Sequence, residues 1–412
     1  MKKLIRNVLL VLLVLILGFF LLFKFCTPFR NTVIKEASRW QFVRDLVGKE
    51  VEDDYENKMV DGNFDSINHT VNDGVAGKLT GYTNIALFGI DSRAADGFDD
   101  GIRSDSIIVV SINNDTNSVK MVSVYRDTML KITDSNDKVQ YAKANHAFFK
   151  GGVNCAVSML NNNLDLDISE YIVVNFAGLT EIIDKLGGLT LDIRKEEIQY
   201  INNYIEETSK ITGVKSEKIR KAGEQEVDGV QATAYCRIRY TPFYDEEGTK
   251  YSDDLGRTAR QRLVLEKMVK KAKKLGMSEL IDLVKEIMDM NTEDSTFIKT
   301  SLRYNEVMDL VPVLIDYDIK AATGFPFTLT APTIKGTSYV VAQGLSYNVQ
   351  ELHKFLFEDE EYEVSREVEK ISKYIQNYTG VKEVHLKEET ESEQQQSTAS
   401  GTSSNTKKKS TQ

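Results

Sequence analysis

Histidine, cysteine, proline and tryptophan are scarce in this chain of 412 residues, at four, three, five and one. Cys26, Cys155 and Cys236 are too few and too scattered for a disulfide scaffold or a thiolate metal site. Four histidines leave little material for His-ligated zinc, so chemistry here must rest on carboxylates, arginines and hydroxyls. Positive charge is short too. The 52 Lys and Arg face 62 Asp and Glu, a net charge of −10, which excludes a basic wrapper of nucleic acid. Neither Gly151-Gly152 nor Gly187-Gly188 fits a phosphate-loop or dinucleotide fingerprint, so both pairs are expected as helix and strand caps. What is present is globular: 41% hydrophobic and 28% charged residues, enough for one large domain or two small ones.

One long apolar run stands out, residues 8–23, extended by Phe25 and preceded by Lys2, Lys3 and Arg6. Its length is slightly short of a hydrocarbon core about 30 Å thick, and Leu4, Ile5 and a snorkelling Lys24 make up the difference. No small-x-small cleavage site follows, and Cys26 is preceded by Phe23-Lys24-Phe25, so an uncleaved signal-anchor over 8–25 is expected. The basic flank predicts a cytoplasmic stretch 1–7, a single pass through the plasma membrane and an exported remainder. Polar residues 26–78 read as a juxtamembrane stalk, 79–360 as the folded domain, 361–387 as a helical extension and 388–412 as a disordered tail. Within the domain, apolar runs at 84–90, 106–112, 119–124 and 171–176 alternate with helical patterns at 153–163, 178–186 and 258–275. Interleaved strands and helices predict an α/β layered domain around a central sheet, with 322–350 as late strands.

The basic residues are unevenly chosen. Lys outnumbers Arg 36 to 16, yet 79–119, 222–249 and 251–266 contain Arg alone. Bidentate recognition of phosphate or carboxylate needs the planar guanidinium fork, whereas solubility is served by either cation. Asp91-Ser92-Arg93, Arg103-Ser104-Asp105 and Arg126-Asp127 stand where strands emerge, the usual place for a site in an open α/β fold. Asp91/Arg93 and Arg103/Asp105 are i, i+2 pairs, so a strand would turn each pair to one side, and two carboxylates converging among arginines suit Mg²⁺ bridging phosphate oxygens. Tyr235-Cys236-Arg237-Ile238-Arg239-Tyr240 alternates, which predicts a strand presenting Arg237 and Arg239 together. After Asp254, Arg257, Arg260 and Gln261 are spaced to share one face near a helix start, where cations oppose the helix dipole unless an anion arrives. His146 is open to an acid–base role or a structural one.

In order along the chain, Ile85 to Arg93, Arg103-Ser104-Asp105, Ser123-Val124-Tyr125-Arg126-Asp127, Lys143 to Gly152, Leu186-Gly187-Gly188, Gly229, Tyr235 to Tyr240 and Asp254 to Gln261 resemble the LytR-CpsA-Psr proteins, membrane-anchored enzymes of Gram-positive cell-wall assembly. Two positions depart from that pattern: Tyr125 stands where Pro is commoner, and Cys236 where a hydroxyl or Val is frequent. The resemblance implies an α/β/α sandwich around a central mixed sheet, with a deep apolar pocket for a polyprenyl chain. It implies transfer of a phosphoglycopolymer, teichoic acid or another wall or capsular polymer, from polyprenyl pyrophosphate to peptidoglycan. By the same resemblance Asp91 and Asp105 hold Mg²⁺, with Mn²⁺ an alternative. Arg103, Arg126, Arg237, Arg239, Arg257 and Gln261 would surround the phosphates. Arg93, Asp127, Lys143, Asp254 and Arg260 would help to bind or orient substrate, and Asp91 or Asp127 would be the base. The expected partners are the lipid-linked glycopolymer, peptidoglycan and the plasma membrane, with no nucleic acid. A polyprenyl pyrophosphatase and a non-catalytic lipid-phosphate-binding regulator stay open as alternatives.

Overall fold

The computed structural model describes residues 70–75, 77–92, 98, 101–291, 296–303, 306–308, 310–311 and 317–386. The expected anchor over 8–25, most of the stalk, Arg93 and the expected tail over 388–412 lie outside the described residues.

Alternating apolar residues form β1 (Tyr82–Ile90), β2 (Ser104–Asn113) and β3 (Ser118–Val124), an antiparallel meander. A hairpin of β4 (Met129–Thr133) and β5 (Val139–Lys143) leads into helix α1 (Asn145–Leu164). Then come β6 (Glu170–Asn175), α2 (Phe176–Lys185), β7 (Leu189–Ile193), α3 (Ile198–Thr212), β8 (Gly223–Val227) and α4 (Gly229–Tyr235), with β7 and β8 forming their own ribbon. The short pair β9 (Phe243–Tyr244) and β10 (Lys250–Tyr251) precedes α5 (Asp253–Ala272) and α6 (Met277–Met288). Next along the chain are β11 (Ile298–Thr300) and β12 (Asp318–Phe325), and then the short strands β13 (Leu329–Thr330), β14 (Thr333–Ile334), β15 (Thr337–Ser338) and β16 (Val341–Ala342). Helices α7 (Leu345–Phe357) and α8 (Arg366–Thr379) close the described fold.

The main sheet has the order β11-β6-β1-β2-β3-β12, parallel at β6/β1 and β3/β12 and antiparallel elsewhere, so it is mixed as expected. Period-2 alternation splits its side chains between two layers. Ala86, Phe88, Ile107, Val109, Val122 and Val124 join α1, α7 and α8 in one buried core. On the opposite face, Ile85, Ile108 and Met121 are buried with Leu265 of α5 packed against them. In β6 the buried residues Tyr171 and Val173 alternate with half-buried Ile172 and Val174, because the second face is covered incompletely and leaves a hollow.

Several expectations need correction. The described fold starts before residue 79: Val75 and Leu79 belong to the main core, and Asn72 donates to Asp165 at 2.6 Å. At the other end, Val368, Ile371 and Ile375 of α8 lie in that same core. Residues 345–350 begin α7 rather than continuing the late strands, since Leu345, Val349, Leu352 and Leu356 recur at helical spacing. Gly151 and Gly152 do not cap; they break α1 internally, and Gly152 adopts φ +59°, a conformation that favours glycine. Gly187 and Gly188 do join α2 to β7, with φ of +78° and +76°.

A buried histidine gives this fold a pH signature. His353 on α7 stacks on Tyr362 at 3.5 Å and bonds the Leu164 carbonyl at 3.0 Å, and burial pushes its pKa down to about 4. The folded state therefore keeps the ring neutral, and the unfolded chain binds the extra proton as pH falls from about 6.5 to about 4. This group's stabilising share, about 3 kcal/mol at most, is complete above pH 6.5 and lost across that window. His353→Gln is expected to flatten the fall of Tm between pH 6.5 and 4 relative to wild type. Parallel Tm–pH curves would assign the acid sensitivity elsewhere.

Candidate active site

A cavity of about 560 Å³ opens between the second sheet face and helices α2 and α5. Its inner wall is apolar, with Leu87, Ile108, Ile172, Leu179, Val264 and Met268 among its lining residues. The polar part of the wall consists of Asp91, Asp105, Arg126, Glu207, Arg237, Arg239, Arg257 and Gln261, together with Ser106 and Asn175. Polar residues from seven separate stretches of chain thus meet at the strand ends of a mixed sheet.

Asp105 reaches the cavity through a local irregularity. Gly89 pairs with Ser106 but Ile90 pairs with Ser104, so Asp105 is the extra residue of a β-bulge. Asp105 and Ser106 are consecutive and both line the cavity, which regular alternation would forbid. The i, i+2 expectation for Arg103 and Asp105 fails for the same reason. Arg103 precedes β2, does not line the cavity and lies over the Phe149 ring at 5.2 Å.

The guanidinium groups form a network held by two carboxylates. Arg126 donates to Asp105 Oδ1 at 2.6 Å and lies 3.6 Å from Asp254 Oδ2. Arg257 meets Asp254 Oδ1 at 2.8 Å and Asp105 Oδ2 at 3.5 Å, and Arg239 lies 3.6 Å from Asp254 Oδ1. Burial lowers the Arg257 pKa and is only partly offset by Asp254; for Arg126 burial also opposes the charge, but Asp105 and Asp254 outweigh it and the pKa rises. Both stay cationic at neutral pH. Arg126 Nε, Arg257 Nε and Gln261 Oε1 are buried and make no hydrogen bond among the described residues. Such orphaned polar atoms are costly unless a ligand satisfies them.

Tyr235 to Tyr240 do not form the expected strand. Asp228 caps α4 in a reciprocal box with Gln231, the helix ends at Tyr235, and Cys236 to Tyr240 turn back. Gly229 permits this: a Cβ there would lie 2.1 Å from the Thr180 carbonyl oxygen. Arg237 and Arg239 still face the cavity together, and Cys236 lines it beside them, its thiol pKa pushed up to about 12 by burial. Cys155 and Cys236 are not bonded to each other and sit in different cores.

Arg260 is the other correction. It does not line the cavity with Arg257 and Gln261 but is fully buried, donating to Glu197 Oε1 at 2.6 and 2.9 Å and to the Thr241 and Pro242 carbonyls at 3.1 and 3.0 Å. It braces the turn that carries Arg237 and Arg239. Asp127 and Lys143 also stand outside the cavity lining, paired at 3.0 Å. The His146 pKa is lowered by burial first and then by Arg103, Lys143 and Lys150.

Sequence reasoning missed the frame around Arg237. Glu207 holds its Nη2 at 2.9 Å and Thr208 its Nη1 at 3.0 Å, with the Phe176 and Tyr204 rings 4.5 and 5.1 Å from the guanidinium carbon. The spacing of Tyr204, Glu207 and Thr208 marks one helix face, but nothing local says which arginine it meets.

The carboxylates suit a metal ion shared with a ligand. Among the described residues no cluster of three or more acids, histidines or cysteines could hold one alone. Mg²⁺, however, is commonly bound through one or two carboxylates plus substrate phosphates, and Asp91 and Asp105 line one cavity.

The LytR_cpsA_psr family model matches residues 46–349. "Biofilm regulatory protein A" of Streptococcus mutans is 28% identical over 264 residues, covering 62% of this chain and 59% of that protein. A Bacillus cereus protein named polyisoprenyl-teichoic acid–peptidoglycan teichoic acid transferase TagU is 32% identical over 228 residues, 55% of this chain and 62% of that protein. The chain thus spans about three fifths of the length of these curated relatives. Among solved structures, EF0465 of Enterococcus faecalis, described as a transcriptional regulator, superposes with a TM-score of 0.51 at 27% identity, covering 73% of this chain and 96% of that one. The fold is likewise that of gbs0355 from Streptococcus agalactiae, at a TM-score of 0.56 and 23% identity, covering 74% of this chain and 96% of that one. A mixed sheet with this cavity at its strand ends, and a family match over residues 46–349, make the chain a member of the LytR-CpsA-Psr family.

Proposed function

We propose that this chain is a phosphotransferase that moves a phosphoglycopolymer from a polyprenyl pyrophosphate carrier to a hydroxyl of peptidoglycan at the outer face of the plasma membrane. The observation that carries the reading is one cavity that joins an apolar wall to a cluster of four arginines among aspartates. The name of the Bacillus cereus relative supports the same class of donor and acceptor. The apolar run at 8–23 would anchor the domain where such a carrier resides.

In this proposal the prenyl chain lies against Ile108, Ile172, Leu179 and Val264, and Arg126, Arg237, Arg239 and Arg257 surround the pyrophosphate. The acceptor hydroxyl attacks the sugar-side phosphorus, the bond from that phosphorus to the bridging oxygen breaks, and polyprenyl phosphate leaves. Charge grows on the bridging oxygen, where fixed guanidinium donors stabilise it without reorganising. Mg²⁺ held by Asp91 and Asp105 would neutralise phosphate charge. The hydroxyl proton passes to a carboxylate, Asp91 or Asp127, of which Asp91 lines the cavity.

Ile172→Trp tests the assignment of the apolar wall, because Ile172 is half-buried and lines the cavity, so a larger ring fills space rather than overpacking a core. Binding of an undecaprenyl pyrophosphate donor is expected to weaken by at least about tenfold, while a geranyl analogue binds nearly as before. Equal affinity of both donors for the variant and the wild type would remove the cavity from lipid binding.

A further inference from the structure

Two different frames hold the arginines of the cavity. Arg126, Arg239 and Arg257 share Asp105 of β2 and Asp254 of α5. Arg237 pairs instead with Glu207 of α3, 2.9 Å from its Nη2. Tyr204, Glu207 and Thr208 stand at i, i+3 and i+4 on that helix, so a single turn supplies most of the second frame. The Thr208 hydroxyl oxygen accepts from Arg237 Nη1 at 3.0 Å, and the rings of Tyr204 and of Phe176, at the start of α2, lie 5.1 and 4.5 Å from the guanidinium carbon.

Glu207 is out of place in a phosphate site by charge alone. It lines the cavity with Asp91 and Asp105, and any carboxylate there repels an incoming phosphate. Asp91 and Asp105 have the metal ion of the proposed function to justify them; Glu207 has only Arg237. What it supplies is direction. A guanidinium bonded at both Nη atoms cannot turn about its own axis, and the two rings limit its tilt, so its plane is fixed before a ligand arrives. The Arg237 side chain is 11% exposed and that of Glu207 42%, so the carboxylate is the outer clamp and can be changed without opening a core.

We propose that Glu207 is a positioning residue, which holds the Arg237 guanidinium in the one plane where its remaining N–H donors meet the charge that grows on the bridging oxygen. The inference rests on the transferase reading for the group that Arg237 meets. Fixed donors stabilise a transition state without reorganising, whereas a loose guanidinium has to be ordered during the reaction. A residue that only orients Arg237 acts through it, so its effect vanishes once Arg237 is gone. A residue that takes the hydroxyl proton itself would keep its effect without Arg237.

A double-mutant cycle on the full chain in detergent micelles, read as release of undecaprenyl phosphate from undecaprenyl pyrophosphoryl-N-acetylglucosamine, tests this. E207A is expected to lower kcat by about 30-fold without weakening the binding of undecaprenyl pyrophosphate, since the lost carboxylate also removes a repulsion. E207Q, whose amide oxygen still accepts from Nη2, should stay within about threefold of wild type. In the R237A background, E207A should cost less than about twofold more. A second readout needs no turnover: labelling of Arg237 by phenylglyoxal, followed by peptide mass mapping, should be at least about fivefold faster in E207A than in wild type or E207Q, with Arg239 unchanged. Equal labelling of Arg237 in all three proteins overturns the proposal. So does an E207Q as poor as E207A, a loss that persists in R237A, which would make Glu207 the base, or a fall in lipid binding as large as the fall in kcat, which would make it part of the wall. Failure of the transferase reading would leave the labelling difference intact, whereas failure of the clamp would leave release normal in E207A.

Discussion

Arg257→Lys is expected to lower the rate of transfer by about 100-fold with little change in donor affinity, and Arg257→Ala by about 1000-fold. The lysine variant keeps the charge but loses the fork. Arg257 reaches Asp254 at 2.8 Å and Asp105 at 3.5 Å with separate nitrogens, and its buried Nε is left for a ligand. A single ammonium cannot hold both carboxylates and a phosphate in one plane. The interaction counts most when charge moves onto the bridging oxygen, so kcat should fall more than KM rises. Steady-state kinetics with a lipid-linked donor, beside a Tm within a few degrees of wild type, check this. A lysine enzyme within threefold of wild type would show that charge alone suffices.

Glu197→Ala is expected to cost about 3–5 kcal/mol of stability and to lower Tm by roughly 10 °C. The variant would leave the Arg260 guanidinium buried without its carboxylate, since both hydrogen bonds to Glu197 would be lost. The remaining acceptors, the carbonyls of Ile238, Thr241 and Pro242, carry no countercharge. A paired E197L/R260M replacement should recover much of the loss, because removing both charges also removes their desolvation cost. The braced turn carries Arg237 and Arg239, so the single variant should also lose activity below its Tm. Thermal denaturation of the three proteins measures the effect. An unchanged Tm for Glu197→Ala would mean that water reaches Arg260.

How much of this was legible depended on whether the deciding contact was local. Strands β1, β2, β3 and β6 follow from their apolar runs; the windows that hold Arg without Lys pointed to Arg237, Arg239 and Arg257, which line the cavity, but equally to Arg103, Arg260 and Arg262, which do not, while Arg126 was marked by its place beside Asp127 at a strand end. The strand expected at Tyr235 to Tyr240 misread a two-residue period where the Asp228–Gln231 capping box already marked a helix. Arg260 shares its helix with Arg257 and Gln261, yet its partner lies 63 residues away, and no spacing rule reveals that. The bulge at Asp105 was equally hidden, because it is a property of pairing between β1 and β2 rather than of either strand. The apolar half of the site looked like ordinary core in the sequence. Only the incomplete cover of Ile172 and Val174 shows that the face is a wall and not an interior.

The most direct measurement follows the sugar-side phosphate of a synthetic polyprenyl-pyrophosphate glycan, isotopically labelled at that phosphorus, incubated with the full chain, peptidoglycan and Mg²⁺. The account predicts label in a phosphodiester on peptidoglycan, an equal amount of unlabelled polyprenyl phosphate, and loss of both on chelation or in Arg257→Ala. Label released to water as a glycan phosphate whether or not peptidoglycan is present, or donor bound at the cavity and never cleaved, would contradict it.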